Sequence, residues 1–134
     1  MGVEVSGGSV VVSRVVRAAP SAVWAVLTDL RAWPKWGPTV AGAELDGAGS
    51  GAGELALGAR GKVFTPVGVP LPFTITEFEP GRRWAWRVAG IPATAHGVEP
   101  VGDGTRVYMS APLPAAPYVP VLAIALRRID RMTS

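Results

Sequence analysis

Cysteine is absent from the 134-residue chain. That excludes disulfides, thiolate metal sites, iron–sulfur ligation and cysteine nucleophiles. Histidine occurs once, as His96. A multi-histidine metal centre is therefore impossible, and a Ser-His-Asp arrangement would have to be built on that one residue. Neither a metal nor a cofactor is expected. Charge is also scarce, at 17% of residues against 49% hydrophobic. With a mean hydropathy of +0.30, the chain lacks the low hydrophobicity and high charge of disordered segments. Long apolar runs are missing too. The longest, residues 119–126, is broken by Pro120 and stopped by Arg127, well short of the roughly 18–20 residues a membrane span needs. No cationic stretch leads into an apolar core at the N-terminus, so no signal peptide is predicted and a cytoplasmic location is expected.

Lysine is confined to Lys35 and Lys62, and the net charge is only +3. The arginines are scattered except at Arg82–Arg83 and Arg127–Arg128–Arg131. A nucleic-acid partner needs a denser basic face interleaved with aromatics and is not expected. The bias to arginine, alanine, glycine and proline fits a GC-rich genome as well as any function.

What the chain does have is punctuation. Seventeen glycines and thirteen prolines cut one domain, residues 1–134, into short segments suited to an antiparallel sheet. Residues 9–17 are β-branched and predict a first strand. Pro20 then opens a helix whose stripe is Val23, Val26, Leu27 and Leu30. Asp29 is placed to cap a second short helix, which should finish near Trp33 because Pro34 follows. Further strands are predicted over 39–45, 59–65, 71–79, 82–89, 93–100 and 105–111. Residues 47–53 form a glycine-rich loop, and Pro80-Gly81 and Gly102-Asp103-Gly104 make tight turns. Prolines 112, 114 and 117 set off a C-terminal helix of about 15 residues, a usual length. Its stripe is Tyr118, Val121, Leu122, Ala125 and Ile129. Seven antiparallel strands leave one face to cover, and only the long helix is large enough to cover it. An apolar space between sheet and helix follows, and pockets commonly occupy such spaces.

Four motifs resemble a known family. They are Ala19-Pro20-Ser21-Ala22-Val23-Trp24 with Thr28-Asp29-Leu30 and Trp33-Pro34-Lys35-Trp36; Glu77-Phe78-Glu79-Pro80-Gly81-Arg82-Arg83-Trp84; Glu99-Pro100; and Gly102-Asp103-Gly104-Thr105-Arg106-Val107. In this order they are similar to the START-like, helix-grip superfamily (SRPBCC), and within it to the polyketide cyclase/dehydrase-like proteins of bacteria. The resemblance runs from about residue 9 to about residue 130. It implies an α+β helix-grip fold: a seven-stranded curved antiparallel sheet wrapped around a long C-terminal helix, with two short helices after strand 1. It also implies a deep apolar cavity. It does not imply one activity, since the superfamily holds cyclases, lipid carriers and co-chaperone-like domains.

The candidate site residues follow from alternation along the strands. Trp84, Trp86 and Val88 should face the cavity, with Arg83 and Arg87 outward. The two tryptophans either form an aromatic wall for a flat ligand or fill the core completely. Thr94, His96 and Val98 should share the inward face opposite Glu99. His96 is the candidate catalytic residue, as the side chain suited to acid–base work near pH 7. It serves equally well as a hydrogen-bond donor to a ligand carbonyl or as a structural histidine, and no partner carboxylate is evident. Val63, Phe73, Ile75, Val107 and Met109 complete the inward sets, and Tyr118 and Leu122 face them from the helix. Trp33 and Trp36 gate a pocket or pin the helix pair; Trp36, after Pro34, should leave the helix and be the cavity residue of the two. The ligand-binding set is thus Trp36, Val63, Phe73, Ile75, Trp84, Trp86, His96, Val98, Met109, Tyr118 and Leu122.

Gly47-Ala-Gly49-Ser-Gly51-Ala52 matches the dinucleotide pattern but lacks a following helix N-terminus, so nucleotide binding is not expected. The C-terminal helix could rest on an anionic membrane through its arginines, although a solvated basic end explains them as well. The function expected is binding of a small hydrophobic ligand, aromatic, polyketide-like or lipid-like. The alternatives are a polyketide cyclase/dehydratase using His96 for proton transfer, and an interaction module whose cavity is filled. The oligomeric state is not legible.

Overall fold

The computed structural model describes residues 2–46 and 55–134. The glycine-rich loop 47–53 and its dinucleotide-like pattern lie outside the described residues. Strands β1 (Gly2–Ser6) and β2 (Ser9–Val16) are followed by helices α1 (Pro20–Thr28) and α2 (Trp33–Trp36). Strands β3 (Gly42–Leu45), β4 (Arg60–Phe64), β5 (Pro70–Glu79), β6 (Arg83–Val88), β7 (Ile91–Val101) and β8 (Gly104–Pro112) come next. A 3-10 turn over Leu113–Tyr118 leads into α3 (Val119–Thr133). The strands form one antiparallel sheet in the order β1-β2-β8-β7-β6-β5-β4-β3. A meander thus runs from β3 to β8, and the β1–β2 hairpin is added to its last strand. The two short helices carry the chain from β2 across to the far edge.

The sheet has eight strands, where seven were expected. The extra strand is β1, all of whose residues are exposed. Strand prediction relied on a buried face, and β1 has none. Its signal was the Gly7-Gly8 pair, with φ of +53° and +85°, which suits the two-residue turn that closes a hairpin. The strand predicted from Thr39 begins only at Gly42, because residues 37–40 make a turn closed by Val40 N–H donating to the Gly37 carbonyl at 3.0 Å. The second helix also differs from expectation. It starts at Trp33 rather than finishing there, with Pro34 in its first turn, where a missing N–H is harmless. Asp29 does not cap it. Its carboxylate accepts from Arg31 N–H at 3.0 Å and its carbonyl from Ala32 N–H at 2.9 Å, so Asp29 shapes the turn between the helices.

The core lies on the concave face. Val10, Val12 and Val16 of β2 and Thr105, Val107 and Met109 of β8 are buried there beside Leu122, Ala125, Leu126 and Ile129 of α3. Leu126 was absent from the predicted stripe and is buried. Arg14, also at an inward position of β2, donates through Nε to Asp130 Oδ2 of α3 at 2.6 Å. Thr105 meets its hydrogen-bond requirement by donating to the Ala18 carbonyl at 2.6 Å. Among the described residues no helix is long and apolar enough to cross a membrane.

Candidate functional site

The tryptophans divide the space between sheet and helices into a filled half and an open half. Helix α1 ends at Thr28, so carbonyls in its last turn lack helical partners. The Leu27 carbonyl accepts from Trp33 Nε1 at 2.9 Å and from Trp84 Nε1 at 3.2 Å. The Val26 carbonyl accepts from Trp36 Nε1 at 3.1 Å. Three indoles therefore tie α2 and β6 to the end of α1, and Trp33 and Trp36 do pin the helix pair. Trp33 and Trp84 stack with centroids 5.3 Å apart and planes 14° off parallel. The imidazole of His96 stacks on Trp84 at 4.0 Å. Phe73 and Trp86 close around this column at 5.8 and 5.3 Å from Trp33. Trp84, Phe73, Ile75 and Val98 are buried core and line neither of the two spaces described next.

The open half begins at Trp86. A cleft of about 350 Å³ lies between the ends of β4–β8, the 37–40 turn and the 3-10 turn; Val63, Leu71, Trp86, Val88, Ala111 and Tyr118 are among its walls. It opens where α3 gives way to the proline-rich 3-10 turn, whose inward residue Ala115 is small. Along β8 the inward series shrinks from Met109 to Ala111, which leaves the space unfilled. A narrower chamber of about 50 Å³ continues inward past Trp86 and Thr94 to Trp36, His96, Met109 and Leu122. Thr39 and Tyr118 border both spaces and are joined hydroxyl to hydroxyl at 2.6 Å. Trp36, contrary to expectation, is the last residue of α2, yet it lines the inner chamber.

Of the predicted set, the structure thus brings Trp36, Val63, Trp86, His96, Met109, Tyr118 and Leu122 to the two spaces. Alternation along strands missed Thr39, Val40 and Ala115, which sit on turns, and Pro112, the last residue of β8. Alanines 111, 115 and 116 were the available signal, because a cavity survives where side chains are too small to fill it.

Polar groups in these walls are few, and none is charged. Trp86 Nε1 donates to Thr94 Oγ1 at 3.0 Å, and Thr94 Oγ1 lies 3.0 Å from His96 Nε2. With its lone pair engaged by the indole, the Thr94 hydroxyl can donate to Nε2, which puts the ring proton on Nδ1. Nδ1 is buried without a hydrogen-bond partner. Burial in this aromatic column pushes the His96 pKa down to about 3, and the Arg83 guanidinium on the other face of the sheet adds to the shift. A Trp84 backbone group near the ring opposes it without making a properly formed hydrogen bond to Nδ1. His96 is therefore neutral at pH 7. No cluster of three or more metal-ligating side chains occurs among the described residues.

On the convex face, Tyr108 lies flat over Gly97, with Arg83 and Arg106 5.8 and 5.2 Å from its ring centre. A Cβ on Gly97 would fall 2.2 Å from the tyrosine ring, so only glycine allows that packing. Arg106 also donates to Glu99 at 2.6 Å and to Glu4 at 3.2 Å. A polar pocket of about 290 Å³ lies on this face, with Glu4, Arg83, Arg106 and Tyr108 among its walls.

The family described as polyketide cyclase/dehydrase and lipid transport matches residues 8–131. No curated protein sequence matches the chain. Among solved structures, protein XoxI from Bacillus cereus is similar with a TM-score of 0.71 at 14% identity, over 95% of this chain and 96% of that one. Protein Ms6760 from Mycobacterium smegmatis gives 0.68 at 15%, over 98% and 96%. The Aha1 dimer from Colwellia psychrerythraea gives 0.65 at 19%, over 93% and 96%. At these identities the likeness shows the fold, a helix-grip sheet closed on a long C-terminal helix.

Proposed function

Because the chain belongs to the polyketide cyclase/dehydrase and lipid transport family, we propose that it is a binding protein for a small hydrophobic ligand, held in the cleft beside Trp86. The observation that carries this reading is the cleft itself: about 350 Å³, open to solvent and walled without a single charged side chain. Burial of roughly 200 Å² of apolar ligand surface there contributes about 5 kcal/mol before the costs of association. A flat or linear apolar body lies against Trp86, Leu71 and Val63. One polar end can reach the Thr94 hydroxyl, which stands between the cleft and His96.

The enzymatic alternative asks His96 to move a proton. Its buried, neutral ring supports the binding reading instead. A base with a pKa near 3 is poorly matched to proton abstraction at neutral pH, and among the described residues no carboxylate acts on it to raise that value.

The test is native mass spectrometry of the protein from its own host, followed by denaturing extraction, together with titration of N-phenyl-1-naphthylamine as a fluorescent probe. A stoichiometric apolar molecule, and probe binding abolished by Ala111→Phe, are expected. His96→Ala should retain most of the probe affinity. An apo mass together with no probe binding would overturn the reading.

A further inference from the structure

Residues 36–43, immediately after Lys35, and residues 63–76, 88–98 and 107–126 are four of the stretches of the chain that contain no charged side chain. The fold brings all four to the mouth of the cleft, where each supplies part of the wall. Two hairpin tips protrude there. The β4–β5 tip, closed by Thr65 N–H donating to the Val69 carbonyl at 3.0 Å, carries Val67 and Val69. The β6–β7 tip carries Ile91 and is joined to β5 by Ala89 N–H donating to the Pro72 carbonyl at 2.8 Å. Val67 is 84% exposed, Ile91 67% and Val69 50%, and Leu113 of the 3-10 turn is also exposed. Prolines 66, 70, 92 and 114, next to them, are exposed as well. Single exposed valines occur elsewhere on the molecule and need no explanation. A continuous apolar rim without charge around an apolar cleft is a different matter.

The charges nearest this rim are cationic. Lys62 lies opposite Pro72, and Arg87 opposite Thr74 and Pro92, all on the convex face. Lys35 precedes Trp36. All three are exposed. Among the described residues none of the three forms an ion pair. Glu44 lies across from Lys62 in the β3–β4 register.

We infer that this end of the molecule docks on an anionic lipid bilayer, the hairpin tips entering the interface and Lys35, Lys62 and Arg87 lying at headgroup level. The inference deepens the proposed function and takes its purpose from it: a ligand too apolar for water would pass between bilayer and cleft without crossing solvent. Apolar side chains entering the interface, backed by cations at its edge, are the combination that holds peripheral proteins on anionic lipid. An acidic protein partner fits less well, because the rim that would meet it holds no cation.

The test is flotation of the whole protein with vesicles of phosphatidylcholine alone and of phosphatidylcholine mixed with phosphatidylglycerol. The protein should float with the mixed vesicles and more weakly with phosphatidylcholine. Val67→Glu combined with Ile91→Glu should lower partitioning at least tenfold, while probe binding in solution stays unchanged, which shows that the variant is folded. Arg87→Gln should lower partitioning about fivefold with mixed vesicles only, the effect of one cation near such a surface. Wild-type protein that stays in the soluble fraction with both vesicles would overturn the inference. So would a double variant that floats as well as wild type, or self-association abolished by Ile91→Glu, which would make the rim an interface between copies. Flotation with no probe binding would leave the docking surface standing and remove the ligand reading.

Discussion

His96 makes the acid stability of this protein a direct reading of one buried ring. An unfolded histidine has a pKa near 6.5, whereas the folded ring is pushed down to about 3 by burial against Trp84. The native state therefore refuses a proton that the unfolded state accepts. Stability contributed by the neutral ring is present above pH 6.5 and is lost as pH falls below it. At pH 5 the unfolded ring is almost fully protonated and the folded ring almost not at all. One proton over about 1.5 pH units then removes about 2 kcal/mol relative to pH 8. That figure barely depends on the folded value, provided it lies below about 4. Because His96 is the sole histidine, no other imidazole contributes between pH 8 and 5. Asp130, whose carboxyl is held below the usual range by the Ser134 hydroxyl and Arg14, loses its contribution only at lower pH. Urea unfolding at pH 8, 7, 6 and 5 should show wild type losing about 2 kcal/mol more than His96→Gln. The histidine Cε1 proton resonance should not titrate in the folded protein over the same range. An equal pH dependence in the two proteins, or a native resonance that titrates near pH 6.5, would refute the assignment of His96 as buried and neutral.

Further consequences follow from single contacts. Ala89, in the β6–β7 turn, has φ of +52°, a conformation that alanine occupies at a cost and asparagine tolerates. Ala89→Asn should raise stability by about 0.5–1 kcal/mol, read as a thermal midpoint higher by a few degrees. Gly97→Ala should lower stability by about 1–3 kcal/mol, because the added methyl meets the Tyr108 ring, and Tyr108→Ser in the same chain should recover much of the loss in urea unfolding. Tyr118→Phe removes the hydroxyl link to Thr39 across the two spaces. If that link restrains the cleft wall, stopped-flow probe association should be faster in the variant, with affinity changed less than the rate.

The legible part of this fold was the part with a buried face. Strands β4–β8 alternate inward and outward against one core, and period-two patterning placed Val63, Phe73, Ile75, Trp84, His96, Val98, Val107 and Met109 inward, where each is buried. Strand β1 lacked such a face, so only its Gly7-Gly8 turn announced it. Pro34 was read as a stop because proline opposes helical geometry in the residue before it, yet in a first helical turn the missing N–H is harmless. The cleft was harder to locate than the core. Alternation tells which side chains point inward, not whether they meet anything there. Trp84 and Trp86 both point inward from β6; Trp84 is stacked between Trp33 and His96, whereas Trp86 stands at the boundary of the open space. What decides between them is the size of the residues opposite, Met109 in one layer and Ala111 in the next, and their pairing is set by a sheet register that the sequence does not state.

That division explains why the cleft can persist in a small domain. The Trp33–Trp84–His96 column, tied to the end of α1 by indole hydrogen bonds, braces sheet and helices at one level, so the level above need not be packed. An open apolar cleft still forgoes burial that a larger side chain would supply, and positions kept small for binding are commonly ones where stability can be gained. Ala111 is such a position: its side chain is buried at the cleft wall, facing empty volume. Ala111→Phe should gain about 1–2 kcal/mol in urea unfolding from apolar surface newly buried in the cleft, while N-phenyl-1-naphthylamine binding disappears. A loss of stability would mean that the aromatic ring does not fit the space, and that the cleft is narrower in solution than its walls suggest. A gain of stability with unchanged probe binding would mean that the probe sits elsewhere, and the open half would then owe its shape to something other than a ligand.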